Sequence, residues 1–196
     1  MVIPIGGEYW ISFKGECHFT NYYKMLYDWL ISNGFTHRPT GTAPSDTKDE
    51  IEDYYSEIRM PSFSNHWIWW RVWQKAPNGD ELFDFELDIL FQTLALGKKE
   101  ILVNGQKTKV DSGEINVKLK SRVVFHADVL TDNWLGKTLF EYLRWKHYEE
   151  LISDHKEDMY DMTMEFYDRA KQGLGIPTFI TELQEPFHPI LGQVQQ

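Results

Sequence analysis

The sequence predicts an α+β fold. In it, a twisted, mostly antiparallel sheet of about six to seven strands packs against an N-terminal helix and a long C-terminal helix or helix pair. Three observations predict this class. Apolar side chains recur at helical spacing in residues 20–34 and 135–172, whereas apolar and polar side chains alternate through much of residues 51–126. Asn-Gly pairs at 78–79 and 104–105 are typical of tight hairpins between antiparallel strands.

The first strand and the first helix are predicted near the N-terminus. Residues 8–16 alternate as a strand does, and Thr20 is expected to cap the following helix by accepting an otherwise unpaired backbone N–H. The apolar face of that helix comprises Tyr22, Met25, Leu26, Trp29 and Leu30. Gly34 is expected to end it in a left-handed conformation. Residues 36–49 are rich in Pro, Gly, Ser and Thr, which predicts a mobile surface loop inside one domain that spans residues 1–175.

The stretch HWIWWRVWQ, residues 66–74, holds four of the eight tryptophans. A two-residue turn at Asn78-Gly79 would fix its register against the next strand and would set Trp70 opposite Leu87. The predicted core face then carries Ile68, Trp70 and Val72. The opposite face carries Trp67, Trp69, Arg71 and Trp73. We interpret these four residues as a candidate binding face; the alternative is a half-exposed sheet surface that needs no ligand.

Two ladders of opposite charge are expected on the polar side of the sheet. One strand carries Asp84, Glu86 and Asp88, and a later strand carries Lys118, Lys120 and Arg122. If these strands are neighbours, the ladders neutralise each other. The later strand is predicted to bury Ile115, Val117, Leu119, Val123 and Phe125. Two short strands are predicted on either side of the second Asn-Gly pair, and DSGE, residues 111–114, is predicted to form a turn.

Charge and cysteine content restrict the class of protein. The net charge of −10 disfavours nucleic acid as a partner, because phosphate binding needs a basic footprint. The basic positions concentrate in one third of the chain, at Lys98, Lys99, Lys107, Lys109, Lys118, Lys120 and Arg122. A single cysteine, Cys17, suits a reducing compartment. With no secretory leader and no long apolar run in the sequence, we expect a cytoplasmic protein that does not enter a membrane.

No catalytic signature is recognisable in the sequence. His126 with Asp128 could form a base and its orienting partner, but no nucleophile accompanies them. Cys17 is expected to be a partly buried residue, and the helical face that continues from His147 is expected to be a solvated acidic surface. The sequence therefore favours a non-enzymatic function, with no catalytic residue, metal ligand or cofactor assigned.

Three segments resemble a mainly archaeal protein family that has no characterised activity. The matching segments are IWWR at 68–71, the basic hairpin VNGQKTKVDSGEINVKLK at 103–120 and the helix FEYLRWKHYEE at 140–150. The resemblance covers most of residues 8–172 and implies structural features only. The order of elements is also similar to the helix-grip (START-like) arrangement, which implies an apolar ligand between the sheet and the C-terminal helix. The residues expected to line such a cavity are Trp70, Phe85, Leu87 and Phe125.

The last segment, residues 176–196, predicts an extended C-terminal arm. Pro186 and Pro189 interrupt regular structure, while apolar side chains are spaced along it at Phe179, Ile180, Leu183, Phe187, Ile190 and Leu191. We interpret it as an arm that docks on a neighbouring subunit or another protein; the alternative is an arm that folds back on its own domain. The predicted function is a protein-binding or assembly module whose partner is another protein or a second copy. The alternatives are a carrier of an apolar small molecule and an enzyme with an unrecognised acid–base site.

Overall fold

A computed structural model describes residues 2–37, 51–77, 82–103, 106–126 and 148–177. These residues form an α+β fold with an open antiparallel sheet of six strands and two helices. The elements in chain order are β1 (Val2–Cys17), α1 (Phe19–Ser32), β2 (Thr36–His37), β3 (Glu52–Arg59), β4 (Ser64–Lys75), β5 (Phe83–Val103), β6 (Gln106–Phe125) and α2 (Tyr148–Gly173).

The strands β3, β4, β5 and β6 follow one another as neighbours in the sheet. The order across the sheet is β1-β6-β5-β4, and both β2 and β3 pair with the free side of β4. The exceptions to sequential pairing are β2, which pairs with β4, and β1, which lies antiparallel to β6 at the far end of the described sheet. Strands β3 to β6 therefore form a meander, and β1 extends the sheet beside β6.

Both helices pack on one side of the sheet, which we call the inner face. On β4, the inner face carries Ile68, Trp70 and Val72, each at most 1% exposed. The five core residues predicted on β6 are also buried. Trp29 of α1 packs edge-on against Phe166 of α2, with ring centroids 5.4 Å apart. The alternation of the sequence therefore predicted the inner face correctly.

The predicted register of the tryptophan strand is wrong by two residues. Trp70 lies opposite Ile89, not Leu87. The same register holds at the end of the pairing, where the backbone N–H of Ala76 donates to the carbonyl of Phe83, at 2.9 Å. A shift of two residues leaves every side chain on its predicted face, since the side-chain period of a strand is also two.

The strands β5 and β6 are longer than predicted. The expected turn at residues 111–114 lies inside β6, and the short strands predicted near residues 100 and 107 are the ends of β5 and β6. A bulge between Leu94 and Gly97 absorbs the irregularity, and Ala95 takes a φ of 52° within it. The predicted hairpin at Asn104-Gly105 is consistent with the pairing on either side of it, where Val103 lies opposite Gln106.

The helix α1 begins at Phe19, so Thr20 is not its cap. His18 occupies the cap position and makes no capping hydrogen bond with its side chain. Instead, the backbone N–H of Phe19 donates to the carboxylate of Asp111 on β6, at 3.2 Å. Gly34 follows the helix with a φ of 84°, as its position predicted. The cap therefore comes from a residue far along the chain, which no local sequence pattern indicates.

The helix α2 is continuous over its described length. It has no break near Ser153-Asp154, because this region holds neither Gly nor Pro and Met159 and Phe166 keep one face buried. The helix ends at Gly173, and Gly175 follows it with a φ of 69°. Neither described helix is both long enough and apolar enough to cross a membrane.

Several predicted features fall on residues that the structure does not describe. Thr36 and His37 form the short strand β2 rather than part of a loop, and residues 38–50 lie outside the described ranges. The first part of the predicted C-terminal helix and residues 178–196 of the arm also lie outside them.

The close packing of Gly113 against the bulge generates a prediction. A Cβ atom at Gly113 would lie 2.9 Å from the Cα of Leu96 and 3.0 Å from two backbone carbonyl oxygens. We expect Gly113→Ala to lower the free energy of unfolding by about 1–3 kcal/mol, since backbone atoms must move. Urea denaturation followed by tryptophan fluorescence measures it. The control is Gly7→Ala, whose Cβ would meet no atom within 4 Å. Equal stability of both variants would contradict the packing described.

Candidate functional site

The four predicted binding residues share the face of the sheet opposite the helices. We call Trp67, Trp69, Arg71 and Trp73 the outer tryptophan face. All four side chains are half-buried, in contrast to the fully buried residues that alternate with them on β4. Placement on one solvent-facing side agrees with the alternation of the strand.

The cross-strand pairing extends this face over five strands. Trp69 lies opposite Tyr54 on one side and Leu90 on the other, Leu90 lies opposite Lys118, and Lys118 lies opposite Trp10. We call these five residues the aromatic row. Its two ends are the most open, because Tyr54 is 54% exposed and Trp10 is 57% exposed. A contiguous apolar patch, unlike single exposed apolar side chains, is typical of an interaction site.

Sequence reasoning missed Tyr54 and Trp10. Each alternates correctly within its own strand, so the local signal was present. Their alignment with Trp69 depends on the pairing of β1 with β6 and on a bulge in β3 between Glu52 and Tyr54. Neither feature can be found from the spacing of residues within one strand.

The Arg71 guanidinium is held over an indole ring. Its Cζ atom lies 3.6 Å from the ring centroid of Trp69, and its Nη1 atom lies 3.4 Å from a carboxylate oxygen of Asp53. This geometry is a cation–π contact. The register implied by a turn at Asn78-Gly79 would set Arg71 opposite Glu86, but Arg71 lies opposite Asp88 and forms an ion pair with Asp53.

The Trp73 indole is also fixed. Its Nε1–H donates to the backbone carbonyl of His37 at 2.8 Å, across the β2–β4 pairing. Of the three outer tryptophans on β4, Trp73 is thus tied into the edge of the sheet. Trp67 and Trp69 lie nearer the middle of the face, opposite Gln92 and Leu90 of β5.

The charges of the outer surface are largely neutralised within it. Arg122 bonds to Glu86 and lies 3.0 Å from Asp88, which confirms part of the predicted pairing between ladders. The two lysines of the basic ladder instead contact Glu8 on β1. Hydrogen bonds from Lys118 and Lys120 hold the pKa of Glu8 below its usual range. The face therefore presents aromatic rings among paired charges, not a field of one sign.

A small cavity opens beside the aromatic row. Its volume is about 160 Å³, and it is lined by Trp69, Asp88, Leu90, Lys118 and Lys120. A cavity of about 150 Å³ lined by apolar side chains can hold a molecule of benzene. This cavity therefore has room for one apolar or aromatic side chain between the indole of Trp69 and the aliphatic stems of the lysines.

Within the part of the chain that the structure describes, the other candidate groups do not converge into a catalytic arrangement. His126 has its Nε2 atom 2.6 Å from a carboxylate oxygen of Asp84, and its predicted partner Asp128 lies outside the described residues. The described carboxylates expected on the acidic side of α2, including Asp154 and Asp158, are exposed. Among the described residues, no group of three or more His, Cys, Asp or Glu side chains could hold a metal ion.

The four residues expected to line a cavity beneath the C-terminal helix are buried. Trp70, Phe85 and Leu87 are 0% exposed and Phe125 is 3% exposed. Tyr23 and Phe91 pack against Trp70 from α1 and β5, with centroid distances of 4.7 Å and 4.6 Å. Neighbouring aromatic rings fill this part of the core.

No family model, no curated protein and no solved structure matches the chain. The resemblance of residues 8–172 to a mainly archaeal family therefore remains a prediction.

The environment of Cys17, the single cysteine of the chain, generates a prediction. Burial, together with the negative charge of Asp111, raises the pKa of its thiol to about 11. At pH 8 the thiolate fraction is then about a hundredfold below that of an ordinary cysteine. A more basic thiolate is also more nucleophilic, which recovers about tenfold of this loss in reaction rate. We expect alkylation by iodoacetamide to be about tenfold slower in the folded protein than in the urea-unfolded chain. Equal rates would show that Cys17 is not shielded from the reagent and that the pKa of its thiol is not raised.

Proposed function

We propose that this protein is a non-enzymatic assembly module in which the C-terminal arm of one copy, residues 176–196, docks on the outer tryptophan face of a second copy. The observation that carries the proposal is the aromatic row with its adjoining cavity, on the side of the sheet away from both helices. Tryptophan, tyrosine and arginine are the residue types that dominate binding energy in protein interfaces.

The charges of the arm and of the face are complementary. The arm carries two acidic residues, Glu182 and Glu185, and no Lys or Arg. Lys118 and Lys120 border the cavity beside the aromatic row. Each of these lysines has donors left over after its contact with Glu8. An arm that brings carboxylates close to the cavity rim therefore gains charge-assisted hydrogen bonds.

The chemistry of the arm also fits an extended docking mode. Pro186 and Pro189 disfavour a helix, and Phe179, Leu183, Phe187 and Leu191 recur every four residues along the arm. An extended segment presents alternate side chains to a surface, so one side can carry its apolar anchors. Phe179 and Phe187 are the anchors whose rings suit a cavity of this size.

The origin of the arm favours a second copy over self-docking. The last described residues, Ile176 and Pro177, follow α2, and Ile176 packs against the core on the inner side. The arm thus begins on the side opposite the outer tryptophan face of its own copy. A second copy can present that face directly, and exchange of arms between two copies gives a closed two-fold assembly.

The remaining parts of the proposal concern fold family and compartment. A long helix after the last strand, with β1 placed beside β6, supports a helix-grip arrangement. A lone cysteine that cannot form an internal disulfide supports a cytoplasmic location.

The proposal predicts a dimer that depends on both surfaces. We expect the full-length protein to have twice the chain mass by size-exclusion chromatography with light scattering. Trp67→Ala/Trp69→Ala and the arm variant Phe179→Ser/Leu183→Ser/Phe187→Ser should each be monomeric at micromolar concentration, since losing an interface anchor costs about 2 kcal/mol or more. Leu102→Ser is the control, because Leu102 is 72% exposed on the β5–β6 hairpin, away from this face. Its mass should not change.

Mixing the two variants distinguishes exchange between copies from self-docking. An equimolar mixture holds one intact face and one intact arm on different chains, so a species of twice the chain mass should return. A monomeric wild type, or variants that keep the wild-type mass, would contradict the proposal. Failure of the mixture to associate would mean that arm and face do not bind each other.

A further inference from the structure

A large groove lies on the inner face, where the sheet extends past the start of α1. We call it the edge groove. Its volume is about 740 Å³, within the range of about 300–1,000 Å³ that is typical of small-molecule sites. Strands β3, β4, β5 and β6 contribute to it together with the first turn of α1. It is separate from the outer tryptophan face, which lies on the other side of the sheet.

His66 forms part of the wall of the groove and is 8% exposed. The hydroxyl oxygen of buried Thr93 accepts the backbone N–H of His66 at 2.9 Å and lies 2.7 Å from its Nδ1 atom. Because that hydroxyl has its own proton to donate, we assign the proton to the Nδ1 contact, which leaves the ring proton on Nε2. Burial lowers the pKa of His66, so the ring is neutral at pH 7.

The Nε2 atom of His66 faces Glu57 of β3. The nearest carboxylate oxygen of Glu57 is 3.6 Å away. The ring of Phe19 stacks on His66 with a centroid distance of 5.5 Å, and Tyr55 lies 6.3 Å away on β3. Aromatic neighbours thus hold a donor in place beside the groove.

The two carboxylates of the groove are already engaged. Glu57 accepts from Arg59 through Nε and Nη2, and Asp111 accepts from Lys98 and from the backbone N–H of Phe19. Both cations keep free donors, because a guanidinium has five N–H groups and an ammonium has three. Arg59 and Lys98 are also open to solvent, at 79% and 72% exposure. The unfilled hydrogen-bonding capacity of the groove is therefore mainly that of donors.

The apolar part of the wall is also open. Met60 is 47% exposed and Phe63 is 36% exposed, and both lie on the connection between β3 and β4 that borders the groove. The four charged groups of the groove sum to zero, which disfavours a ligand of high charge. We propose that the edge groove binds a singly charged organic anion, whose acid group is held by Arg59 and Lys98 and whose apolar body packs on Phe63 and Phe19.

The test uses two dyes with the same apolar body. The anionic probe is 8-anilinonaphthalene-1-sulfonate, and N-phenyl-1-naphthylamine is its uncharged counterpart. In fluorescence titrations, we expect saturable binding of the anionic dye to the wild type. Arg59→Gln/Lys98→Gln should weaken it by roughly tenfold or more, since each lost charged contact is worth up to about that factor. Binding of the uncharged dye should change by less than about twofold.

Matched variants separate the groove from general charge and from the other aromatic surface. Lys14→Gln/Lys107→Gln removes two exposed lysines away from the groove and should leave both dyes unaffected. Phe63→Ser should weaken both dyes, whereas Ile58→Ser, at an exposed position on the outer side of β3, should weaken neither.

Three results would overturn the proposal. The first is that the anionic dye shows no saturable binding. The second is that Lys14→Gln/Lys107→Gln weakens binding of the anionic dye as much as Arg59→Gln/Lys98→Gln does. The third is loss of dye binding in Trp67→Ala/Trp69→Ala, which would place the dye on the outer tryptophan face. The dimer experiment tests the outer tryptophan face and the dye experiment tests the edge groove. Either proposal can therefore be contradicted without affecting the other.

Discussion

The antiparallel pairing of β1 with β6 is the constraint on which the rest of the structure depends. Thirteen register positions join the two strands, from Val2 opposite Val124 to Cys17 opposite Asp111. This pairing ends β1 beside Asp111, whose carboxylate then receives the first N–H of α1. It therefore sets where the helix begins and which side of the sheet it covers. The other side is left to the aromatic row, whose Trp10 end exists only because β1 lies there.

Alternation of side chains predicted the two faces of the sheet but not the exact partners across it. Ile68, Trp70 and Val72 are buried as expected, although each lies two positions from its predicted partner. Because side chains alternate with a period of two, a register error of two residues leaves each side chain on its predicted face. The bulge at Leu94–Gly97 led to an error in strand length. It interrupts the alternation of one long strand, so the sequence of β5 resembles two short strands.

The candidate surfaces differ in how far sequence could predict them. Trp67, Trp69, Arg71 and Trp73 follow from one strand and were found. Tyr54 and Trp10 join them through long-range pairing, which depends on loop closure that no local pattern encodes. The edge groove was missed altogether, because its walls come from four strands and a helix terminus. His66 begins the tryptophan stretch, yet its place between Thr93 and Glu57 follows only from the pairing of β4 with β5 and β3.

The hairpin of β5 and β6 reaches beyond its neighbours in the sheet. The pairing of β4 with β5 reaches Leu96 and that of β1 with β6 reaches Asp111, so among the described residues the ends of β5 and β6 pair only with each other. Both edges of such a ribbon expose unpaired backbone groups that another chain could join. The lysines of this ribbon are Lys98, Lys99, Lys107 and Lys109. Charged side chains at a free edge oppose strand addition, so we expect these lysines to disfavour pairing of the ribbon with another chain.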